Sequence, residues 1–433
     1  MEEIRQKSNT SIHSVKKPIS VRQGLMAIVK SSYINVMVIF VPFGIASHYV
    51  WSPTITFILN FLAIIPLAKL LGFATEDIAL RTGEIIGGLL NATFGNAVEL
   101  IISILSLTEG LVIVVQSSML GSILSNLLLV LGMCFWGGGY YHKVQKFNKT
   151  VAQTSASLLF ISVASLLIPA SFYASVSQAQ DTMSDQQKLV YQQDILNISR
   201  ATSIILLVIY MSYLLFQLRT HNYLFVAPTE DEKQRDEEEA TDRAQIEDQL
   251  LEDDDEEEEE PQLPAWMAVV LLLVVTALVG VNAEFLVAAI EDVTTIWNIS
   301  ETFVGLILIP IVGNAAEHLT AVTVALKDKM DLALGVAVGS SMQIALFVTP
   351  LMVIIGWGMN VNMSLLFNIY ETAILFIAVI MVNYLIMDGE SNWLEGFMLF
   401  AIYIVIAISF YFYPDTASPM SQLASASNST GTS

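Results

Sequence analysis

Long apolar stretches, separated by short polar interruptions, follow one another from Tyr33 to Pro414 of the 433-residue chain. A helix needs about 20 predominantly apolar residues to cross the hydrocarbon core of a bilayer. By this criterion the pattern predicts eleven transmembrane helices in an all-α polytopic membrane protein that contacts lipid. The predicted spans are 33–49, 53–72, 84–108, 110–139, 148–175, 198–218, 264–292, 301–327, 331–358, 365–387 and 392–414.

The composition agrees with a membrane protein, because 54% of the residues are hydrophobic and 14% are charged. Soluble proteins carry considerably more charge. The net charge of −22 gives no indication of a nucleic-acid partner. The single Cys134 excludes an intrachain disulfide framework and a multi-cysteine metal site. The sequence also lacks a two-His-plus-acid zinc spacing and a nucleophile with a placed base, so we expect neither an enzyme nor a cofactor.

Positive charges predict the orientation, because Lys and Arg collect on the cytosolic side of membrane proteins. If the amino terminus is cytosolic, seventeen of the nineteen Lys and Arg residues lie on that side, Lys69 among them. Only Lys188 and Arg200 do not. The carboxyl terminus then faces the lumen or the exterior.

An acidic segment separates the sixth and seventh predicted spans. Residues 230–260 contain nineteen Asp or Glu and three Lys or Arg, and Glu252–Glu260 is an unbroken acidic run. Mutual repulsion favours a solvated cytosolic linker. In the alternative interpretation, its carboxylates attract divalent cations and regulate transport. The candidates for that regulatory binding are Glu252, Asp253, Asp254, Asp255 and Glu256.

A short sequence motif occurs in both halves of the chain, and its two copies are called the two words below. The third span contains Gly95-Asn96-Ala97-Val98-Glu99, and the eighth contains Gly313-Asn314-Ala315-Ala316-Glu317. Gly121-Ser122 and Gly339-Ser340 follow the two glutamates at identical spacing. With the first span set aside, five spans lie on either side of the acidic segment, so the second five enter the membrane from the opposite side. Inverted repeats of this kind are a recurring plan in transporters.

These patterns divide the chain into six parts, of which the two repeats are expected to form the transport unit. In order, the parts are a cytosolic tail (1–32), an extra transmembrane helix (33–49), the first five-helix repeat (50–218), the acidic cytosolic linker or helix (219–263), the second five-helix repeat (264–414) and a luminal tail (415–433).

Glu99 and Glu317 place carboxyl groups inside otherwise apolar spans, where an ionised group is costly. Within these two spans no Lys or Arg lies near them, so a proton or a bound cation must cancel their charge. Two carboxylates brought together by pseudo-twofold symmetry would match one divalent ion. Without the ion, desolvation and repulsion favour protonation. Ion and protons therefore compete for the same oxygens, unless both residues are permanently protonated packing groups.

Neighbouring residues fit a hard cation such as Ca²⁺, which takes six to eight oxygen ligands. Asn96 and Asn314 lie on the same helix face as their glutamates. Gly95 and Gly313 weaken the helix so that carbonyls can turn inward, or they only let helices approach closely. His318 is either a proton relay or gate, or an ordinary hydrogen-bonded histidine. Further side chains from the following spans, either ligands or interhelical hydrogen-bond partners, are Ser122, Ser340, Gln116 and Gln343.

The words resemble the two signature repeats of the cation/proton exchanger family, in particular its fungal vacuolar members. The matching segments are 87–100, 119–126, 313–318 and 330–335, and the resemblance covers about residues 33–414. It implies one extra helix plus two inverted five-helix bundles, with Glu99 and Glu317 as the central glutamates. It also implies import of cytosolic Ca²⁺ into an acidic vacuole in exchange for luminal H⁺.

We therefore expect a secondary active antiporter in the vacuolar membrane, with Ca²⁺ as the transported substrate and H⁺ as the counter-ion. The nearest alternatives keep the architecture but use Mn²⁺ as the substrate or Na⁺ as the driver. A passive channel is a different class of transporter. Its flux would survive collapse of the pH gradient, whereas that of an antiporter would not.

Overall fold

The computed structural model describes residues 19–177, 185–221 and 261–414. The helices of the first half are α1 (Val21–Lys30), α2 (Phe40–Val50), α3 (Pro53–Thr82), α4 (Glu84–Phe94), α5 (Ala97–Thr108), α6 (Val112–Leu124), α7 (Leu131–Tyr141), α8 (Lys149–Ser177) and α9 (Asp185–Leu215). Those of the second half are α10 (Ala265–Ala288), α11 (Ile290–Trp297), α12 (Glu301–Phe303), α13 (Ile309–Gly313), α14 (Ala315–Leu326), α15 (Met330–Gln343), α16 (Thr349–Gly358), α17 (Ile369–Leu385) and α18 (Trp393–Tyr411).

Shorter elements connect several of these helices. A 3₁₀ helix, Tyr33–Ile39, leads into α2. The strands β1 (Gln145–Lys146) and β2 (Glu390–Ser391) form an antiparallel pair between the halves. Four π-helical segments continue or join α-helices, and they span Ser125–Val130, Phe216–Thr220, Val304–Leu308 and Ile344–Val348.

Eight continuous helical stretches in the described residues are long and apolar enough to cross a membrane. α5, α14 and α17 are shorter apolar helices, and α11 and α12–α13 form a pair bent by 115°. Helical segments coincide with all the predicted spans, which confirms the all-α membrane fold. The count of eleven stays a prediction, because the third and eighth predicted spans are each divided between separate helices.

Two helical regions differ from the sequence prediction. α1 lies in the stretch expected to be a tail, and a capping box between Ser20 and Gln23 starts it. α3 was expected to end at residue 72 but continues to Thr82. The extension carries an i,i+4 ion pair between Asp77 and Arg81, which stabilises the added turns. Lys69 lies inside both the predicted span and the longer helix, and its predicted position toward the cytosolic side stays a prediction.

Two hydrogen bonds connect the first half of the chain to the second near helix ends or loops. Gln145 Nε2 donates to Asp328 Oδ1 at 2.8 Å, close to the β1–β2 pair. Ser199 Oγ, on α9, accepts from the backbone N–H of Leu365 at 3.0 Å. The predicted alternation of the loops across the membrane stays a prediction.

The two larger hydrophobic cores in the described residues are each built from both repeats. One combines Leu67 and Leu71 of α3 with Val279 and Leu286 of α10. The other combines α6, α7, α8 and α9 with α15, α16, α17 and α18. The first helices of the repeats, α3 and α10, also pack directly against each other. The repeats therefore fold around shared cores, while the predicted domain boundaries stay predictions.

Asp77 fastens the end of the linker to α3. It is buried, and its Oδ1 accepts from the backbone N–H groups of Gln262 and Leu263. Its Oδ2 accepts from Arg81, which in turn donates to the Leu263 carbonyl. One side chain thus satisfies two backbone donors and orients a guanidinium.

Asp77→Ala should lower the free energy of unfolding by about 1–3 kcal/mol, because it leaves buried donors without an acceptor. Thermal unfolding in detergent measures the change in Tm. Asp292→Ala is the matched control, since Asp292 is exposed and its replacement should be nearly neutral. Equal melting temperatures for both variants would contradict the fastening role.

Candidate functional site

Two asparagines interrupt the helices that carry the repeated words. Asn96 has φ −99° and ψ 18°, and Asn314 has φ −92° and ψ 7°. A new helix starts directly after each asparagine, at Ala97 and at Ala315, which places the glutamate in its first turn. The repeats therefore match in backbone conformation as well as in sequence. The first turn of a helix favours negative charge.

The two words meet inside the protein. A Cβ atom added to Gly313 would lie 3.1 Å from Glu99 Oε1, so the carboxyl group of the first repeat packs directly on the glycine of the second. Glu99 is buried, with 4% of its surface exposed. The carboxyl groups of Glu99 and Glu317 also interact electrostatically. The structure therefore brings together the glutamates that the sequence predicts as a pair.

Hydrogen bonds cross between the repeats in a pseudo-symmetric pattern. Asn96 Nδ2 donates to Gln343 Oε1 at 2.8 Å, and Asn314 Nδ2 donates to Ser125 Oγ at 3.3 Å. Gln343 follows Ser340 by three residues, and Ser125 follows Ser122 by three. Each asparagine therefore binds the equivalent position of the opposite repeat. Both asparagines are fully buried; the Asn314–Ser125 bond is buried as well, and the Asn96–Gln343 bond is partly buried.

The surroundings of the two glutamates are not symmetric. Ser340 Oγ donates to Glu317 Oε2 at 2.7 Å and accepts from Asn126 Nδ2 at 3.1 Å. The equivalent Ser122 Oγ and the Oε2 atom of Glu99 are buried, and neither has a hydrogen-bond partner among the described residues. Glu317 is thus held by two linked hydrogen bonds, from Asn126 to Ser340 and from Ser340 to Glu317, whereas Glu99 lacks the equivalent bonds within the described residues.

Three buried oxygens in and beside the two words have no hydrogen-bond partner among the described residues. Besides Glu99 Oε2 and Ser122 Oγ, the buried Oδ1 atom of Asn314 has no hydrogen-bond partner in the described ranges. Buried polar atoms are normally paired, because desolvation without a partner is costly. Carboxylate, amide and hydroxyl oxygens are the ligands that Ca²⁺ prefers. No cluster of three His, Cys, Asp or Glu suited to a metal occurs in the part of the chain that the structure describes.

Several predicted site residues have other contacts. Gln116 Nε2 donates to the carbonyls of Ser364 and Leu366, at 2.8 and 3.2 Å, in the loop before α17. Gly95 is exposed, and its N–H donates to the Asn91 carbonyl. The Nε2 atom of His318 is buried without a hydrogen-bond partner among the described residues, and its relay role stays a prediction. The regulatory acidic candidates, Glu252, Asp253, Asp254, Asp255 and Glu256, lie outside the described residues.

Three residues of the site region were not among the predicted site residues. Ser125 and Asn126 belong to the recognisable 119–126 motif, and their polar side chains in an apolar span were the available signal. Lys69 donates from Nζ to Thr320 Oγ1 at 3.0 Å, which connects α3 to α14. It was not considered because the predicted span ended shortly after it.

A family profile described as sodium/calcium exchanger protein matches residues 52–219 and 267–412. The chain belongs to this family. Among the relatives of this exchanger, the vacuolar calcium ion transporter of Schizosaccharomyces pombe is 44% identical over 389 residues, which cover 90% of this chain and 87% of the relative. A Ca²⁺/H⁺ antiporter of Synechocystis sp. is 42% identical and covers 89% of this chain and 98% of the relative.

A solved structure of YfkE, described as a Ca²⁺/H⁺ antiporter protein, has a TM-score of 0.65 and 32% identity to the exchanger described here. The match covers 87% of this chain and 99% of that structure. The cores of both repeats, including the two words, lie within the matched range of the family profile. Fold and family thus agree with the resemblance found in the words.

Gly313→Ala should reduce transport about tenfold or more, because the added Cβ displaces the Glu99 carboxyl, and a small misplacement of a reacting group is costly. Initial ⁴⁵Ca²⁺ uptake into proteoliposomes measures the effect. Gly339→Ala is the matched control, since a Cβ there meets nothing within 4 Å. Equal rates for the two variants would show that close packing at Gly313 does not matter.

Proposed function

We propose that this chain is a secondary active antiporter that exchanges cytosolic Ca²⁺ for luminal H⁺ by alternating access. The observation that carries the proposal is the meeting of Glu99 with Gly313 and Glu317, where one carboxyl from each repeat reaches the same buried region. The names of the relatives agree, since two of them are a vacuolar calcium ion transporter and a Ca²⁺/H⁺ antiporter.

In the proposed cycle, one Ca²⁺ binds between Glu99 and Glu317 and cancels both charges. Buried oxygens from Asn314 and Ser122 complete part of the shell, and Ser340 orients Glu317. Protons arriving from the lumen neutralise the carboxylates and release the ion. Reorientation of the empty, ionised pair is disfavoured because two carboxylates in an apolar interior carry more negative charge than their surroundings balance. Exchange is therefore obligatory.

The proposed location is the vacuolar membrane, in agreement with the vacuolar relatives. In this orientation the face that carries Gln145, Asp328 and the β1–β2 pair is cytosolic, as are the amino terminus and the acidic linker. The carboxyl terminus is luminal. The Lys and Arg distribution supports this assignment. Mn²⁺ as substrate and Na⁺ as driver are less favoured, because the antiporter relatives are named for Ca²⁺ and H⁺.

The function is tested by ⁴⁵Ca²⁺ uptake into proteoliposomes with an imposed pH gradient that is then dissipated. An antiporter accumulates Ca²⁺ only while the gradient lasts. Uptake that continues unchanged after dissipation would identify a passive channel. Replacing the proton gradient by a Na⁺ gradient in parallel vesicles separates the two possible drivers.

Glu99→Gln and Glu317→Gln should each abolish exchange while the protein stays folded. The amide keeps an oxygen but loses the charge and the titratable proton, and the shared site needs both. Uptake under a pH gradient is compared with that of Glu291→Gln, which changes an exposed acid and should behave like the unchanged protein. Substantial exchange by either buried variant would rule out the shared site.

The coupling ratio should be at least two protons per Ca²⁺. Each pH unit supplies about 1.4 kcal/mol per proton, near the free energy of a tenfold concentration ratio. Across two pH units, one proton supports a gradient of about 100-fold, whereas two support about 10⁴-fold before any voltage contribution. Reversal measurements in vesicles at fixed pH gradients determine the ratio. A value near one would mean that only one of Glu99 and Glu317 titrates.

A further inference from the structure

Lys69 lies in the interior of α3, with 16 residues before it and 13 after it in the helix. It is partly buried, and its Nζ donates to Thr320 Oγ1 at 3.0 Å. α3 belongs to the first repeat and α14 to the second, so this hydrogen bond joins the repeats. An ionisable residue inside a membrane-spanning helix is expensive and usually serves a function.

Thr320 places this ammonium group about one helical turn from Glu317 along α14. It follows Glu317 by three residues on α14, and residues at this spacing have Cβ atoms about 5–6 Å apart on one helix face. Thr320 Oγ1 donates its own proton to the Ala316 carbonyl at 2.9 Å, which leaves it as an acceptor for Lys69. The threonine is therefore fixed by its own helix, and the ammonium is held beside the turn that carries Glu317.

A second carboxylate lies on the other side of Lys69. Glu76 is exposed, stands seven residues further along α3, and interacts electrostatically with the Lys69 ammonium. Glu76 and Arg81 both lie toward the end of α3 that contacts the linker residues Gln262 and Leu263. Lys69 thus lies between this face of the protein and Glu317, and in the proposed orientation this face is cytosolic.

We propose that Lys69 is an affinity-setting residue, whose positive charge about one helical turn from Glu317 weakens binding of the divalent cation. Like charges repel, and the repulsion of an ammonium is twice as large for a divalent as for a monovalent ion at the same position. This electrostatic repulsion is stronger at a partly buried position than at the surface, because water and salt screen it less there. A transported ion must be released in every cycle, so a charge that limits its residence speeds turnover.

This inference rests on the proposed Ca²⁺ transport, and a charge series tests it. Lys69→Arg keeps the charge, Lys69→Gln keeps a donor for Thr320 but removes the charge, and Lys69→Glu reverses it. We expect Lys69→Arg to leave KM for Ca²⁺ unchanged. Lys69→Gln should lower KM about tenfold, which corresponds to about 1.4 kcal/mol, and Lys69→Glu should lower it further. kcat should fall in the same order, because tighter binding slows release.

Thr320→Val is the matched control, because it removes the acceptor oxygen and keeps both the shape and the lysine charge. A single hydrogen bond contributes little net free energy, so KM should stay within about threefold of the unchanged protein. Equilibrium ⁴⁵Ca²⁺ binding to purified protein at pH 8 confirms that the KM changes reflect affinity. Thermal unfolding in detergent establishes that each variant is folded.

If the Lys69–Thr320 hydrogen bond served only to hold α3 and α14 together, the variants would show a different pattern of rates and KM values. Equal losses of rate in the Gln, Glu and Thr320→Val variants, with KM unchanged, would overturn the electrostatic role of Lys69. Equal KM values in the Arg, Gln and Glu variants would do the same. If the unchanged protein takes up no ⁴⁵Ca²⁺ under a pH gradient, the proposed function itself fails, and the two failures are thereby distinguished.

Discussion

The cost of ionised carboxylates in an apolar interior is the constraint on which this structure depends. Glu99 and Glu317 cannot remain charged in hydrocarbon without compensation. The helices are interrupted at Asn96 and Asn314, so each glutamate lies in the first turn of a new helix, where the backbone dipole favours negative charge. The interruption also frees the asparagine side chains to pair across the repeats. The two repeats therefore contact each other at the points where these helices are interrupted.

Some hydrogen bonds of the site are equivalent in the two repeats and others occur in only one repeat. This combination is compatible with alternating access. The asparagine bonds to Gln343 and Ser125 are equivalent in both repeats and hold the words together. The serine bond is made only by Ser340, since Ser122 Oγ has no hydrogen-bond partner among the described residues. Inverted repeats alternate by exchanging their conformations. Ser122 occupies the position in the first repeat that Ser340 occupies in the second, and in this structure Ser340 donates to the glutamate of its own repeat whereas Ser122 does not.

The sequence allowed the helical class and the glutamate pair to be predicted, because both rest on local or repeated patterns. Apolar length identifies spans, and identical words at identical spacing place Glu99 and Glu317 together. Contacts between distant segments could not be obtained in this way. Gln116 binds a loop some 250 residues away, which no local pattern indicates. The second span was predicted too short because hydropathy ends it before Asp77, whereas the helix continues through the ion pair with Arg81.

In the proposed mechanism, the coupling of Ca²⁺ transport to proton transport follows from the burial of the two carboxyl groups, more than from a high affinity of the site for the ion. If the two carboxylates were open to water, the empty ionised site would be stable and the repeats could exchange without cargo. Close packing of Glu99 on Gly313 keeps its carboxyl group out of open solvent, and in the proposed mechanism the site must therefore be filled before reorientation. Such a site holds a divalent ion strongly, and strong binding slows release. In the mechanism proposed above, the ammonium group of Lys69, bound to Thr320 of the opposite repeat, opposes this binding and speeds release of the ion.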